Sequence, residues 1–197
     1  MKILGAEFLK SIVNEREKKF GELPEIAFIG RSNVGKSSLI NCLLMRKIAR
    51  TSSLPGATRT INLYRVEYEH MAKRRTAIFS DFPGFGYTAL PRFIYERWER
   101  MIDSYVSNNP MVRRIIWVVD IRRNFDALDE LTWRWLESKE IPFSFAVTKI
   151  DKVSKDEMRL RKDKFLKIIR DLPVFFVSAK ERTGRKELLV HLIDSLG

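Results

Sequence analysis

The sequence predicts an α/β fold: a mostly parallel, six-stranded sheet with one antiparallel edge strand and helices on both faces. Three observations predict it. Apolar, β-prone runs alternate with helix-like segments along the chain, the pattern of parallel strands joined by crossover helices. One pair of runs, Ile61–Tyr68 and Thr76–Ser80, is separated only by the charged turn Glu69–Arg75, which suits an antiparallel hairpin. Residues 30–37 read Gly30-Arg31-Ser32-Asn33-Val34-Gly35-Lys36-Ser37, which fits the phosphate-loop pattern G-x-x-x-x-G-K-S/T with no mismatch.

The elements follow in order. Ile26–Ile29 is a short buried strand, and Ser37–Met45 is a helix whose Leu39, Ile40, Leu43 and Leu44 recur at helical spacing. The hairpin strands come next. Arg92–Val106 is a helix, Ile115–Asp120 a strand, Ala127–Ser138 a helix and Phe143–Val147 a strand. Lys155–Arg170 is a helix, Val174–Val177 a strand and Arg185–Leu196 the last helix. The least regular stretches are Ala49–Thr60 and Phe82–Pro91, both with Gly and Pro. Trp117, Trp133 and Trp135 are expected to pack in the interior. Arg92–Arg100 sets basic residues beside Tyr95 and Trp98; packing of its aromatics is expected, and a surface that reports the nucleotide state to RNA is the alternative.

Bulk properties narrow the classes. A chain of 197 residues favours one domain with a sizeable core. No apolar run reaches membrane-spanning length, and Met1–Phe20 alternates apolar and charged residues without the apolar segment of a signal peptide. A cytoplasmic protein with no membrane segment is expected. The lone Cys42 reads as a small core residue, and His70 and His191 lack companions at metal-ligand spacing. The formal net charge of +12 points to a polyanion, RNA more than membrane. A charge-rich surface adapted to heat usually balances the two signs, and this one does not.

The phosphate loop assigns a job to each fixed position. Gly30 and Gly35 allow positive φ and close approach of the backbone to phosphate oxygens. The loop N–H groups and the start of the next helix converge on the anion, from Arg31 through Val34 to Ser38. Lys36 carries positive charge to the β- and γ-phosphates, and the Ser37 hydroxyl is placed to ligate Mg²⁺. Each further motif follows a strand end, so all of them should meet at one edge of the sheet. Asp81-Phe82-Pro83-Gly84 fits D-x-x-G: Asp81 would hold Mg²⁺ through water, and the Gly84 N–H would meet the γ-phosphate. Thr148-Lys149-Ile150-Asp151 fits the guanine-reading N/T-K-x-D. One carboxylate, Asp151, can accept both guanine donors, and the Lys149 stem can lie along the base. Val177-Ser178-Ala179 follows the last strand; the Ala179 N–H would reach the guanine carbonyl, with Ser178 supporting the loop. Pro55-Gly56-Ala57-Thr58-Arg59 lies where a mobile switch loop belongs, and Thr58 is the preferred second hydroxyl ligand to Mg²⁺, ahead of Thr60. The fold class is thus a three-layer P-loop NTPase, a Ras-like GTPase domain over 24–197, with residues 1–23 an extension packed on it. Lys36, Thr58 and Gly84 carry the expected catalysis. A nucleotide-dependent metabolic kinase on the same fold is the competing expectation.

The finer pattern resembles the EngB family of bacterial GTPases. The residues that carry it include Ala6-Glu7-Phe8, Leu23-Pro24-Glu25-Ile26-Ala27-Phe28, the loop through Ser38, Pro55-Gly56, Ile61-Asn62, Asp81 to Tyr87, Val119-Asp120-Ile121-Arg122 and Thr148 to Asp151. The resemblance implies an Mg²⁺-dependent GTP/GDP-binding protein that contacts ribosomal RNA on pre-50S particles, with a role in normal division septation. A monomer is expected. One departure is visible: the family usually reads Pro-Gly-basic-Thr-Gln where this chain has Ala57 and Arg59, as wider Era-like relatives do. The position after D-x-x-G is Phe85, which cannot orient a water as glutamine does in Ras-like enzymes, so slow hydrolysis is expected. Asn33 makes K⁺ a candidate second cation beside the phosphates, because related GTPases use an Asn at this loop position for it.

Overall fold

The structure, a computed structural model, describes residues 2–13, 22–50, 60–86, 92–169 and 171–197. The strands are β1 (Lys2–Ile12), β2 (Glu25–Gly30), β3 (Ile61–His70), β4 (Lys73–Asp81), β5 (Val112–Asp120), β6 (Phe143–Thr148) and β7 (Val174–Phe176). The helices are α1 (Lys36–Leu44), α2 (Arg92–Ser107), α3 (Ala127–Ser138), α4 (Lys155–Ile169) and α5 (Arg185–Asp194). Apart from β1, each lies within a few residues of its sequence expectation.

The described strands form one sheet in the order β1-β3-β4-β2-β5-β6-β7. β4, β2, β5, β6 and β7 pair in parallel, while β3 is antiparallel to both β1 and β4. The sheet therefore has seven strands where six were expected, and its antiparallel strand lies one in from the edge. The missed strand is β1. Its apolar and charged residues follow no strict period of two, with Ile3-Leu4 and Phe8-Leu9 adjacent, and its pairing with β3 carries two register shifts, so no clean strand signal marks it. The hairpin is also longer than expected. Charged residues do not end a strand whose backbone stays paired, so β3 and β4 run on to His70 and Lys73. Only Met71 and Ala72 turn, with φ of 50° and 59°, the positive values a tight two-residue hairpin demands.

β2 and β6 are buried along their whole length because helices cover both faces. On one face Leu39, Ile40 and Leu43 of α1 pack with Leu188 and Leu192 of α5. On the other, Met101 and Tyr105 of α2, Leu136 of α3, and Phe165 and Ile169 of α4 close over Trp117, Val119 and Phe145. Trp117 is fully buried among Phe125, Trp133 and Phe145, and Trp135 is partly buried with its ring N–H donated to Asp103 at 2.8 Å. Cys42 is buried, as expected. No helix among the described residues is long and apolar enough to cross a membrane.

Candidate functional site

The parallel topology brings the carboxyl ends of β2, β4, β5 and β6 to one edge, and the motif residues gather there. β2 delivers Gly30 into the phosphate loop at φ 154°. A Cβ on Gly30 would lie 2.3 Å from the Val118 carbonyl oxygen, so only glycine fits against β5. α1 starts at Lys36 with no side-chain cap on its N-terminal N–H groups, which leaves them to a bound anion.

Lys36, Ser37 and Asp81 form one cluster. The Ser37 hydroxyl donates to Asp81 Oδ2 at 2.6 Å, and Lys36 Nζ lies 3.9 Å from Asp81 Oδ1. Burial lowers the Lys36 pKa, opposed by the Asp81 charge, and raises that of Asp81, opposed by Lys36 and the Ser37 hydrogen bond. Asp81 Oδ1 is buried and accepts no hydrogen bond from the described residues. Two hard oxygen donors, one an uncompensated buried carboxylate oxygen, fit a Mg²⁺ ion.

Gly84 is pinned to the phosphate loop. Ser32 Oγ donates to the Gly84 carbonyl at 3.1 Å, the Ser32 N–H to Phe85 O at 3.0 Å, and the Phe85 N–H to Gly30 O at 3.3 Å. A Cβ on Gly84 would sit 2.8–2.9 Å from Ser32 atoms. The Phe82 side chain is fully buried and meets Tyr105 edge-on at 5.4 Å, so only its backbone faces the strand end.

The base-side residues hold the phosphate loop from the other flank. Thr148 Oγ1 donates to Val34 O at 2.6 Å and Val119 O at 3.0 Å. Lys149 adopts φ 60°, and its Nζ reaches Asn33 O at 2.5 Å and Asp120 Oδ2 at 3.0 Å. Asp151 Oδ1 accepts from Ser178 Oγ at 2.7 Å, and Ser178 Oγ also accepts from the Glu181 N–H. Burial works to raise the Asp151 pKa, but the Ser178 bond, a backbone N–H and the charges of Lys152 and Lys180 outweigh it and keep the carboxyl ionised. The Val177 N–H binds Val147 O at 2.8 Å, which sets the Ser178-Ala179 loop beside Asp151. Gly35, Ser38, Thr148, Lys149, Asp151 and Ala179 line one cavity of 690 Å³, ample for a purine nucleoside.

Pro55, Gly56, Ala57, Thr58 and Arg59 lie outside the described residues, as do the side chains of Tyr95 and Trp98. Two contributors were not singled out by residue chemistry. Asp120 ends β5 and shares its carboxylate between Lys149 and Arg122; its run matched the family pattern, but no residue chemistry assigned it this role. Arg31, expected only as a loop residue, sends its guanidinium to Asp126 at the start of α3.

A phosphate loop, a D-x-x-G turn zipped to it and a base loop ending in an acceptor carboxylate, on one edge of this sheet, define a P-loop GTPase. A family model described as 50S ribosome-binding GTPase matches residues 25–149. Proteins named probable GTP-binding protein EngB match throughout. That of Syntrophus aciditrophicus is 38% identical over 100% of this chain and 98% of its own, and that of Geobacter metallireducens 40% identical over 95% and 90%. The chain belongs to the EngB family of GTP-binding proteins and is a GTPase.

Solved structures share the fold. Aquifex aeolicus Era bound to GDP·AlF4⁻ aligns with TM-score 0.74 at 23% identity, over 88% of this chain and 56% of Era. The G domain of the Thermotoga maritima FeoB iron transporter aligns with TM-score 0.59 at 23% identity, over 88% and 99%.

Proposed function

We propose that this GTPase is a slow switch in assembly of the large ribosomal subunit, acting on pre-50S particles through ribosomal RNA, with normal septation depending on that assembly. The observation that carries the switch is the zipper between Gly84-Phe85 and Gly30–Ser32, because the turn meant for the γ-phosphate is built against the loop that holds it. The net charge of +12 and the family's ribosome-binding description support the RNA partner. Membership of a GTPase family leaves the kinase alternative without support. The protein is proposed to work in the cytoplasm as a monomer.

The residues divide the work as follows. Asp151 accepts the two guanine donors while Ser178 fixes its orientation. Lys149 lies along the base, and the Ala179 N–H meets the guanine carbonyl. Lys36 and the loop N–H groups neutralise the phosphates, and the Gly84 N–H reads the third phosphate. Ser37 and Asp81, with Thr58, would hold Mg²⁺, which would supply charge neutralisation to the phosphates. Phe85 stands where a water-orienting glutamine would be, so intrinsic turnover should be on the order of 10⁻⁴ to 10⁻² per second.

Asn33 is proposed to help place K⁺ beside the phosphates. It sits exposed in the loop at φ 63°, a conformation asparagine tolerates, so the backbone angle alone also accounts for it. Single-turnover hydrolysis in potassium and in sodium chloride separates the two accounts: faster turnover in potassium supports the cation, and equal rates remove it.

Depleting the protein from its host tests the assembly role. Incomplete large subunits should accumulate before division fails. A normal ribosome profile in depleted, filamenting cells would contradict it.

A further inference from the structure

An RNA-binding GTPase needs a face for the RNA, and α4 has the composition of one. Lys155–Ile169 carries six basic against three acidic side chains and gives the core little beyond Phe165 and Ile169. Its outer face, one helical stripe opposite Phe165, holds Asp156, Arg159, Leu160, Asp163, Lys164 and Lys167, three basic side chains against two acidic. All six are exposed, Leu160 at 66%. Neither Arg159 nor Lys167 forms an ion pair with a carboxylate among the described residues, whereas Arg161, on the inner side, is engaged by Glu157 at 2.7 Å.

The stripe continues onto the loop after β5. Lys164 Nζ donates to Asn124 Oδ1 at 3.0 Å, and Arg161 donates to Ile121 O at 3.1 Å. The exposed Arg122 and Arg123 lie in that loop. Its root is Asp120, whose carboxylate binds both Arg122 and Lys149. The basic face therefore abuts the base-reading loop, and α4 begins four residues after Asp151.

Another basic run, Lys73-Arg74-Arg75 on β4, is a poorer candidate. Arg74 lies directly opposite Glu69 in the hairpin register, and the tip is at the end of the sheet remote from the motif edge.

We propose that the outer face of α4, with the Arg122–Arg123 loop, is the surface that docks on the phosphate backbone of folded RNA. Excess positive charge set on a rigid helix suits phosphate contact, which positions without reading sequence. This rests on the ribosomal RNA partner proposed above.

Three proteins, each loaded with a non-hydrolysable GTP analogue, are titrated against protein-free large-subunit ribosomal RNA over a range of salt: the wild type, Arg159→Gln/Lys167→Gln and Lys73→Gln/Arg74→Gln. The same three are tested on large-subunit precursor particles, with GTP hydrolysis as the folding control. The α4 variant should keep its hydrolysis rate, bind the RNA at least tenfold more weakly, and show a log-affinity against log-salt slope shallower by about one to two. The hairpin variant should bind as the wild type. If the hairpin variant loses binding and the α4 variant does not, the surface is wrong while the RNA partner stands. If the α4 variant fails on particles but binds RNA normally, the face meets a protein and this proposal is overturned. If the wild type shows no salt-dependent RNA binding, the RNA partner itself fails and takes the surface with it.

Discussion

Arg31 and Asp126 join the phosphate loop to α3 through a two-pronged ion pair, 2.7 Å at each prong. The same carboxylate caps α3 by accepting the Leu128 and Asp129 N–H groups. The guanidinium is largely buried, and its Nε–H has no hydrogen-bond acceptor among the described residues, lying 3.6 Å from Asp129 Oδ1. Asp126 is half-exposed, which screens the Coulomb part of the pair. Loss of the fork is felt mainly as a stranded guanidinium. Asp126→Asn keeps the cap and should lower stability by about 1 kcal/mol in urea unfolding. Arg31→Lys should do no better, because an ammonium cannot fill both prongs. Wild-type midpoints in both variants would show that the fork contributes nothing.

Gly84→Ala places a methyl group against Ser32 backbone at under 3 Å and should part the D-x-x-G turn from the phosphate loop. Single-turnover hydrolysis should fall about a hundredfold, the usual effect of losing one preorganised backbone donor. GDP affinity should change little, since GDP has no third phosphate. An unaltered hydrolysis rate would mean that this contact does not serve catalysis.

Asp151→Asn swaps an acceptor oxygen for a donor opposite the guanine amine. GTP affinity should fall about a hundredfold, and xanthosine triphosphate, which carries a carbonyl there, should bind better than GTP. Isothermal titration with the two nucleotides checks it. Retained preference for GTP would place base recognition elsewhere.

Glu25 makes a pH prediction of unusual sign. Its buried carboxylate accepts from Ser80 at 2.5 Å, from Tyr105 at 2.9 and 3.0 Å, and from Asn109 at 2.8 Å, with no cation among these partners. Burial pushes its pKa above the usual carboxylate value, and the three hydrogen bonds only partly offset that. A raised folded pKa means the native state holds the proton longer than the unfolded chain. Glu25 thus contributes most stability below its ordinary pKa and loses it as pH rises through the raised value. Relative to Glu25→Gln, wild-type stability should fall as pH rises above the ordinary carboxylate value of 4.5. Parallel stability curves for the two proteins would show that Glu25 ionises normally.

The phosphate loop, the D-x-x-G turn and the base loop were legible because each is a contiguous run with fixed spacing, and parallel strands carry such runs to one edge. Arg31–Asp126 and Lys149–Asp120 were not. Their partners are 95 and 29 positions apart in sequence, and local patterning carries no information on contacts closed by the sheet. β1 was not legible in Met1–Phe20, because its apolar and charged residues keep no strict period of two and its pairing with β3 is interrupted by two register shifts. Thr58 stays an expectation from spacing to Gly56, because the structure does not describe that loop.

The central claim is that GTP, through this edge of the sheet, commits the protein to ribosomal particles. Sedimentation of the purified protein with large-subunit precursors, in a non-hydrolysable GTP analogue and in GDP, tests it most directly. At least a tenfold higher affinity in the analogue is predicted, abolished by Asp151→Asn. Equal sedimentation in both nucleotides, or none in either, would contradict the account.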